Sequence, residues 1–318
     1  MSGIIRKGKM NLNFSFFKKC FLIIVFASFS LISSVQAKTS KLTVVSTIGQ
    51  INDIVINIGG EDITAIGLMG PGVDPHLYKA TESDVRKLTE ADIIFFSGLF
   101  LEAKMEHIFE KLQRQKIVVG LADTLPKENL LESETFKNHY DPHVWFDVTF
   151  WKMVAEQVRD TLIKADPKNT AQYQQRANKY LSELDQLDRY VSTKAAELPR
   201  EQRILVTAHD AFRYFGRRYG FEVVGLQGVS TESQAGAADV IRLAKFIADK
   251  KIKSIFVESS VPIRNIQAVV EAVKSNGWDV KIGGELFSDA MGDQKTFEGT
   301  YIGMVTHNIN TIVDNLKE

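Results

Sequence analysis

The tripeptide Asp-Pro-His occurs twice in the chain, at Asp74-Pro75-His76 and at Asp141-Pro142-His143. Proline fixes its own φ at roughly −65° and drives the residue before it toward extended backbone, so each histidine leaves its loop from a stiffened chain. Stiffening of that kind suits a ligand that must be pre-positioned. The first copy follows Gly70-Pro71-Gly72-Val73, just past a predicted strand, where glycines let the backbone turn closely around whatever His76 approaches. Two further candidates lie later in the chain. His209 follows Ile204-Leu205-Val206-Thr207-Ala208 at the carboxyl end of a predicted strand, and Asp289 follows the predicted strand 280–282 through Gly283-Gly284-Glu285-Leu286-Phe287-Ser288. In open parallel sheets ligands bind outside the carboxyl ends of the strands, and all four candidates fall in that zone. Three imidazoles and one carboxylate form a donor set suited to Zn²⁺, Mn²⁺ or Fe²⁺, with no thiolate for Cu⁺. The other histidines are expected to be surface or locally satisfied residues: His107 in the helical pattern 102–112, His307 in a terminal helix over 303–316, and His139. Of these, His139 stands closest to a candidate ligand and could serve beside the site or on its access path.

The elements that must hold these residues are legible in the hydrophobic pattern. Short β-branched runs at 42–46, 63–68, 93–97 and 117–120 alternate with amphipathic stretches, as βαβ units of a parallel sheet require. The alternation resumes at 204–206, 223–226, 255–257 and 280–282, with a helical pattern over 237–250. Between the two series, Asp166-Pro167 opens a stretch over 169–196 without Gly or Pro. Its apolar residues Tyr173, Ala177, Tyr180, Leu184, Leu187 and Val191 are spaced 4-3-4-3-4 and form a narrow stripe on one helical face. The expected fold is α/β: two lobes with mainly parallel sheets flanked by helices, joined by one long backbone helix. The expected organisation is a signal peptide over 1–37, an N-terminal lobe over 38–168, the linking helix over 169–198 and a C-terminal lobe over 199–318.

The N-terminus reads as an address. Residues 1–37 carry Arg6, Lys7, Lys9, Lys18 and Lys19 and no acid, then an apolar run over 20–32, then Ser33-Ser34-Val35-Gln36-Ala37. A basic stretch, a short apolar core and small residues before the cleavage point are the parts of a secretory signal, and the run is too short to span a bilayer, which takes about 20 residues. Cleavage after Ala37 would free a soluble chain into the periplasm. Cys20 precedes the apolar core, so the lipoprotein arrangement is not expected. The 318-residue chain balances 39 basic against 39 acidic residues, but removing 1–37 takes five basic residues and the only cysteine, leaving 34 against 39. A mildly acidic, cysteine-free chain does not read as a nucleic-acid binder or a disulfide scaffold.

Taken in order, Gly72-Val73-Asp74-Pro75-His76, Glu90-Ala91-Asp92-Ile93-Ile94, Gly98-Leu99-Phe100-Leu101-Glu102, Asp141-Pro142-His143-Val144-Trp145, Thr207-Ala208-His209-Asp210-Ala211-Phe212, Phe256-Val257-Glu258-Ser259-Ser260 and Leu286-Phe287-Ser288-Asp289-Ala290-Met291-Gly292 resemble a known family across the whole mature chain. This is solute-binding protein family 9, the TroA-like helical-backbone receptors that carry zinc or manganese to bacterial ABC importers. The resemblance implies a metal bound between the lobes by His76, His143, His209 and Asp289, and delivery to an inner-membrane ABC permease, with the receptor expected to act as a monomer. The third ligand position varies in the family between His and Glu, and His209 tilts the reading toward zinc or a dual zinc/manganese receptor. The long His- and acid-rich loop of dedicated zinc receptors has only the short segment 121–140 as its counterpart, with His139 its sole histidine, and Phe100 stands where several relatives have His.

Two other functions could draw on the same residues. A secreted zinc hydrolase needs an open metal position and a carboxylate base, for which Glu258 or Asp210 could be nominated. Four protein ligands argue for a closed site, and no His-Glu-x-x-His motif occurs, so no enzymatic activity is expected. A surface adhesin is the second alternative, and no lipid anchor or repeat array supports it.

Overall fold

The structure, a computed structural model, describes residues 1–5, 7–9, 41–133 and 138–317 of the chain. The apolar run and the cleavage point of the expected signal lie outside the described residues. Two compact units are distinguished, Met1–Ser40 and Lys41–Glu318. In the first, the described residues are exposed and without regular secondary structure.

The second unit opens with the expected βαβ alternation. Strands β1 (Leu42–Ser46), β2 (Ile63–Gly67), β3 (Ile93–Phe96) and β4 (Ile117–Gly120) form an all-parallel sheet in the order β2-β1-β3-β4. The inner strands are apolar on both faces, with Val44, Val45, Ile93, Ile94 and Phe95 fully buried, because helices cover a parallel sheet on each side. Helices α1 (Gly49–Gly59), α2 (Glu82–Glu90) and α3 (Glu106–Leu112) follow the first three strands. The start of α2 is set by a reciprocal cap between Thr81 and Asp84. Helix α4 (Val148–Ala165) starts at Asp147, whose side chain accepts from Thr149 N.

The expected long helix is α5 (Thr170–Ala195), entered through a 3-10 turn at Pro167–Asn169. Its 26 residues span about 39 Å at roughly 1.5 Å each. All six residues of the apolar stripe are buried, together with Ala195. The first half of the helix is tied to the first lobe: Tyr180 Oη donates to Asp53 of α1 at 2.9 Å, and Arg176 donates to the Ile58 and Gly59 carbonyls and to Asp62. The last turns are tied to α9 (Tyr301–Lys317) by Tyr190 to Asn310 and Lys194 to Asp314. One buried stripe therefore holds elements from both ends of the chain. Leu184→Ala, at the middle of that stripe, is expected to destabilise the metal-free protein by about 2–5 kcal/mol, read from urea unfolding.

The second lobe contains two parallel pairs, β5 (Ile204–His209) with β6 (Glu222–Gln227), and β7 (Ser254–Glu258) with β8 (Lys281–Leu286). Helix α6 (Arg213–Tyr219) connects the first pair and ends at left-handed Gly220, while α7 (Ala237–Lys250) and α8 (Arg264–Ser275) complete the layer. Strands β5 and β7 lie side by side and separate two apolar clusters. Leu205 and Phe256 face the large core shared with α4, α5 and α9, whereas Ile204, Val206, Ile255 and Val257 face a smaller core under α7 and α8. This is the period-two alternation of a sheet buried on both faces.

One expected boundary is corrected. The last strand runs to Leu286 and does not stop at 282, because the Gly283-Gly284 pair belongs to the strand and not to a loop. A Cβ at Gly283 would lie 2.9 Å from Phe256 Cε1, 3.1 Å from Ser254 Cβ and 2.9 Å from Asn315 Cβ, so the glycine marks a close approach to β7 and α9. Asp289 consequently sits three residues beyond the sheet, on a short lever.

Candidate metal centre

Each Asp-Pro-His copy is fixed by its aspartate as well as its proline. Asp74 Oδ1 accepts the backbone N–H of His76 at 2.9 Å, and Asp141 Oδ1 accepts that of His143 at 3.0 Å. Such Asx turns close the loop locally. The copies then differ. Asp141 Oδ1 also receives His143 Nδ1 at 2.7 Å, whereas Asp74 Oδ2 receives the Thr231 hydroxyl of the second lobe at 2.6 Å. His209, the last residue of β5, is held twice by Glu258 at the end of β7: Oε1 accepts its backbone N–H at 2.8 Å and Oε2 accepts its Nδ1 at 2.5 Å. Hydrogen bonding of Nδ1 to a carboxylate leaves Nε2 of His143 and His209 as the free nitrogen, aimed away from the carboxylate.

The structure brings all four predicted residues together. His76, His143, His209 and Asp289 are buried, and their ligand atoms lie within 4.8 Å of one another. His143 Nε2 is 3.3 Å from His76 Nε2 and 3.4 Å from His209 Nε2. Asp289 Oδ1 is 3.3 Å from His143 Nε2, and Oδ2 is 3.3 Å from His209 Nε2 and 3.7 Å from His76 Nε2. Neither carboxylate oxygen of Asp289 has a hydrogen-bond partner among the described residues. A fully buried carboxylate without a donor is costly unless a cation faces it. Three nitrogens and one oxygen converging on one point form the donor set that Zn²⁺ or Mn²⁺ takes.

The charges of the cluster are distributed unevenly. Burial pushes the His76 pKa down and the neighbouring imidazoles lower it further, against Asp289, to about 3. Burial would also lower His143, but Asp141, through charge and hydrogen bond, and Asp289 raise it to about 9. His209 is likewise lowered by burial and lifted well above 6.5 by Glu258 and Asp289. Burial would raise Asp289, yet His209 and His143 hold it well below the usual carboxylate range. The two imidazoles closest to the carboxylate, His143 and His209, are thus biased toward their protonated form, and His76 toward its neutral one.

A cavity of about 150 Å³ opens beside the cluster, lined in part by His76, Phe100, His139, Tyr140 and Pro142. His139 does not join the four donors; its ring meets Phe100 edge-on at 4.5 Å at this opening. His107 is exposed on α3, and His307 lies on α9 with its Nε2 3.0 Å from the Glu285 carbonyl. Sequence reasoning missed the orienting roles of Asp141 and Glu258. The first was available from the Asx-turn chemistry of Asp-x-His, and the second only from the adjacency of β5 and β7.

Comparison with known proteins gives one consistent picture. The family model described as "Zinc-uptake complex component A periplasmic" matches residues 44–315. The zinc-binding protein TroA of Treponema pallidum (strain Nichols) is 54% identical over 277 residues, covering 87% of this chain and 89% of TroA. The manganese-binding lipoprotein MntA of Bacillus subtilis (strain 168) is 45% identical over 299 residues, covering 92% of this chain and 97% of MntA. The solved structure of periplasmic TroA from Treponema pallidum superposes with a TM-score of 0.85 over 87% of this chain and 99% of that one. Fe(III)-bound YtgA from Chlamydia trachomatis, 26% identical, superposes with a TM-score of 0.78 over 87% of this chain and 98% of that one.

Proposed function

The chain belongs to the periplasmic zinc-uptake component A family, and on that premise we propose that it captures a divalent metal ion and delivers it to an inner-membrane ABC permease. The ion is zinc or manganese, the metals named for TroA and MntA, with Fe²⁺ a third candidate from the donor set, the related YtgA being solved with Fe(III). His76, His143, His209 and Asp289 are its ligands in this reading. The observation that carries it is the Asp289 carboxylate, buried, without a hydrogen-bond partner among the described residues, and faced by three imidazole nitrogens. The lobes of this receptor run over 38–168 and 199–318, with 169–198 between them. The mature protein begins after Ala37, works as a periplasmic monomer and turns over no substrate.

Of the two bases nominated for the hydrolase alternative, Glu258 has both oxygens engaged by His209. The adhesin alternative gains nothing from the family. No helix among the described residues is long and apolar enough to cross a membrane. Calorimetric titration of the mature protein should give one zinc or manganese ion per chain, and deletion of the gene should lower cellular uptake of the same metal. Absence of stoichiometric binding to either ion would overturn the reading.

Glu258 acts on the metal through His209. Glu258→Gln keeps its shape but removes the charge that favours the Nδ1–H tautomer, and zinc affinity should fall by about 10–100-fold. A chelator competition assay checks this, and an unchanged affinity would reduce Glu258 to a packing role.

A further inference from the structure

The Asp289 loop is held from two sides. Within the second lobe, Asn308 Oδ1 accepts Phe287 N at 2.9 Å, Asn308 Nδ2 donates to Phe287 O at 2.7 Å, and the Ser260 and Ser288 hydroxyls lie 3.1 Å apart. These contacts secure the loop up to Ser288. The next two carbonyls take side-chain donors from the first lobe. Ser288 O accepts from the Trp145 indole at 3.1 Å and from Gln50 Nε2 at 3.3 Å, and Asp289 O accepts from Gln50 Nε2 at 3.1 Å. Gln50 lies in the first turn of α1, and Trp145 in the 3-10 turn Val144–Phe146 immediately after His143. Both are fully buried. The Trp145 ring stands edge-on to His143 with centroids 5.2 Å apart, and its carbonyl accepts the Tyr301 hydroxyl at 2.6 Å. The peptide that bears the anionic donor is therefore gripped by the lobe that bears two of the imidazoles.

We propose that Gln50, assisted by Trp145, is a positioning clamp that makes the grip of Asp289 on the metal depend on the two lobes being together. Neither residue is placed to touch the ion. While the lobes are closed, the Gln50 amide holds the Ser288 and Asp289 peptides and aims the carboxylate at the imidazoles. Separation of the lobes breaks these hydrogen bonds first, and the short lever beyond β8 is then free to withdraw its carboxylate. Release thereby follows from a small movement at the interface. The inference rests on the reading of the four residues as ligands.

Gln50→Met tests it in the full mature chain. The methionine keeps the length and burial of the side chain and removes the Nε2 donor, while Gln50 Oε1, which has no hydrogen-bond partner among the described residues, gives up nothing. Trp145→Phe removes the other donor. Each variant should release zinc to a chelator about 10-fold faster, the lower end of what orienting partners carry, with metal-free melting temperature close to that of the parent. In cobalt-loaded protein the visible absorption should weaken as Asp289 loosens and water enters. Because both donors serve the same carbonyl, the double variant should fall short of the product of the single effects. Release at the parental rate with an unchanged cobalt spectrum in folded Gln50→Met, or in Trp145→Phe if the first variant does not fold, would overturn the clamp. Asp289→Ala run alongside separates the two failures: if it keeps parental zinc affinity, the ligand reading falls, and if it loses zinc while the clamp variants behave as parent, only the clamp falls.

Discussion

Asp289→Ala should lower zinc affinity by at least about 1000-fold, beyond the 10–100-fold carried by residues that only orient a ligand, and should leave the fold intact. The asymmetry follows from how the side chain is held. Its truncation takes from His143 and His209 a carboxylate that raises their pKa, so the imidazoles turn neutral more readily instead of standing as unpaired buried charges, and it opens only a small cavity. It does remove the single carboxylate among the four donors and leaves three imidazoles to face the ion with water in the fourth position. His209→Ala should lose affinity to a similar degree but cost more stability, because Glu258 is then left buried without its Nδ1–H and Asp289 without one of its positive neighbours. Chelator competition and calorimetry measure the affinities, and urea unfolding of the metal-free variants measures the stabilities. Parental zinc binding in both variants would remove the basis for the assignment.

Zinc affinity should also climb steeply with pH. The ion binds neutral imidazole, and the metal-free site holds protons on His143, raised to about 9, and on His209, raised well above 6.5, while His76 at about 3 is already neutral. Each proton displaced makes the apparent affinity rise by about 10-fold per pH unit until the pKa of the imidazole that held it is passed, near 9 for His143. The metal-free protein should show the opposite trend. A histidine whose pKa is raised on folding contributes stability that is fully present below its unfolded value of 6.5 and is lost as pH rises through its folded value, near 9 for His143. Alkaline conditions thus weaken the empty receptor and strengthen the loaded one. Titrations in buffers of differing ionisation enthalpy count the protons directly, and a count of zero with a pH-independent affinity would refute this account.

Elements with strong local periodicity are legible in the sequence itself. The stripe from Tyr173 to Val191 marks the long helix, whose observed span Thr170–Ala195 lies within one residue of the Gly- and Pro-free stretch 169–196 but ends three residues before the expected 198, because 4-3-4-3-4 spacing has one helical solution and all six residues find a core. The β-branched runs mark strands β1 to β8 in the same way. The ends of β5 and β8 are the exceptions: β5 continues past its run to His209, and Gly283-Gly284 has the local signature of a turn, so that only the packing of β7 and α9 against it makes glycine a strand residue.

Local features, the stiffened Asp-Pro-His turns and the strand ends, are enough to nominate His76, His143, His209 and Asp289 and to place them near one edge of each sheet. Tertiary structure alone decided what surrounds them. Glu258 reaches His209 across 49 positions of chain, and Gln50 reaches Asp289 across 239. Such pairings carry no period or motif. They exist because parallel strands and a shared helical core bring distant loops to one face, where burial removes water and leaves each polar atom to find a partner in the protein. At Asp289 that requirement goes unmet among the described residues, which is the observation behind the proposed metal site.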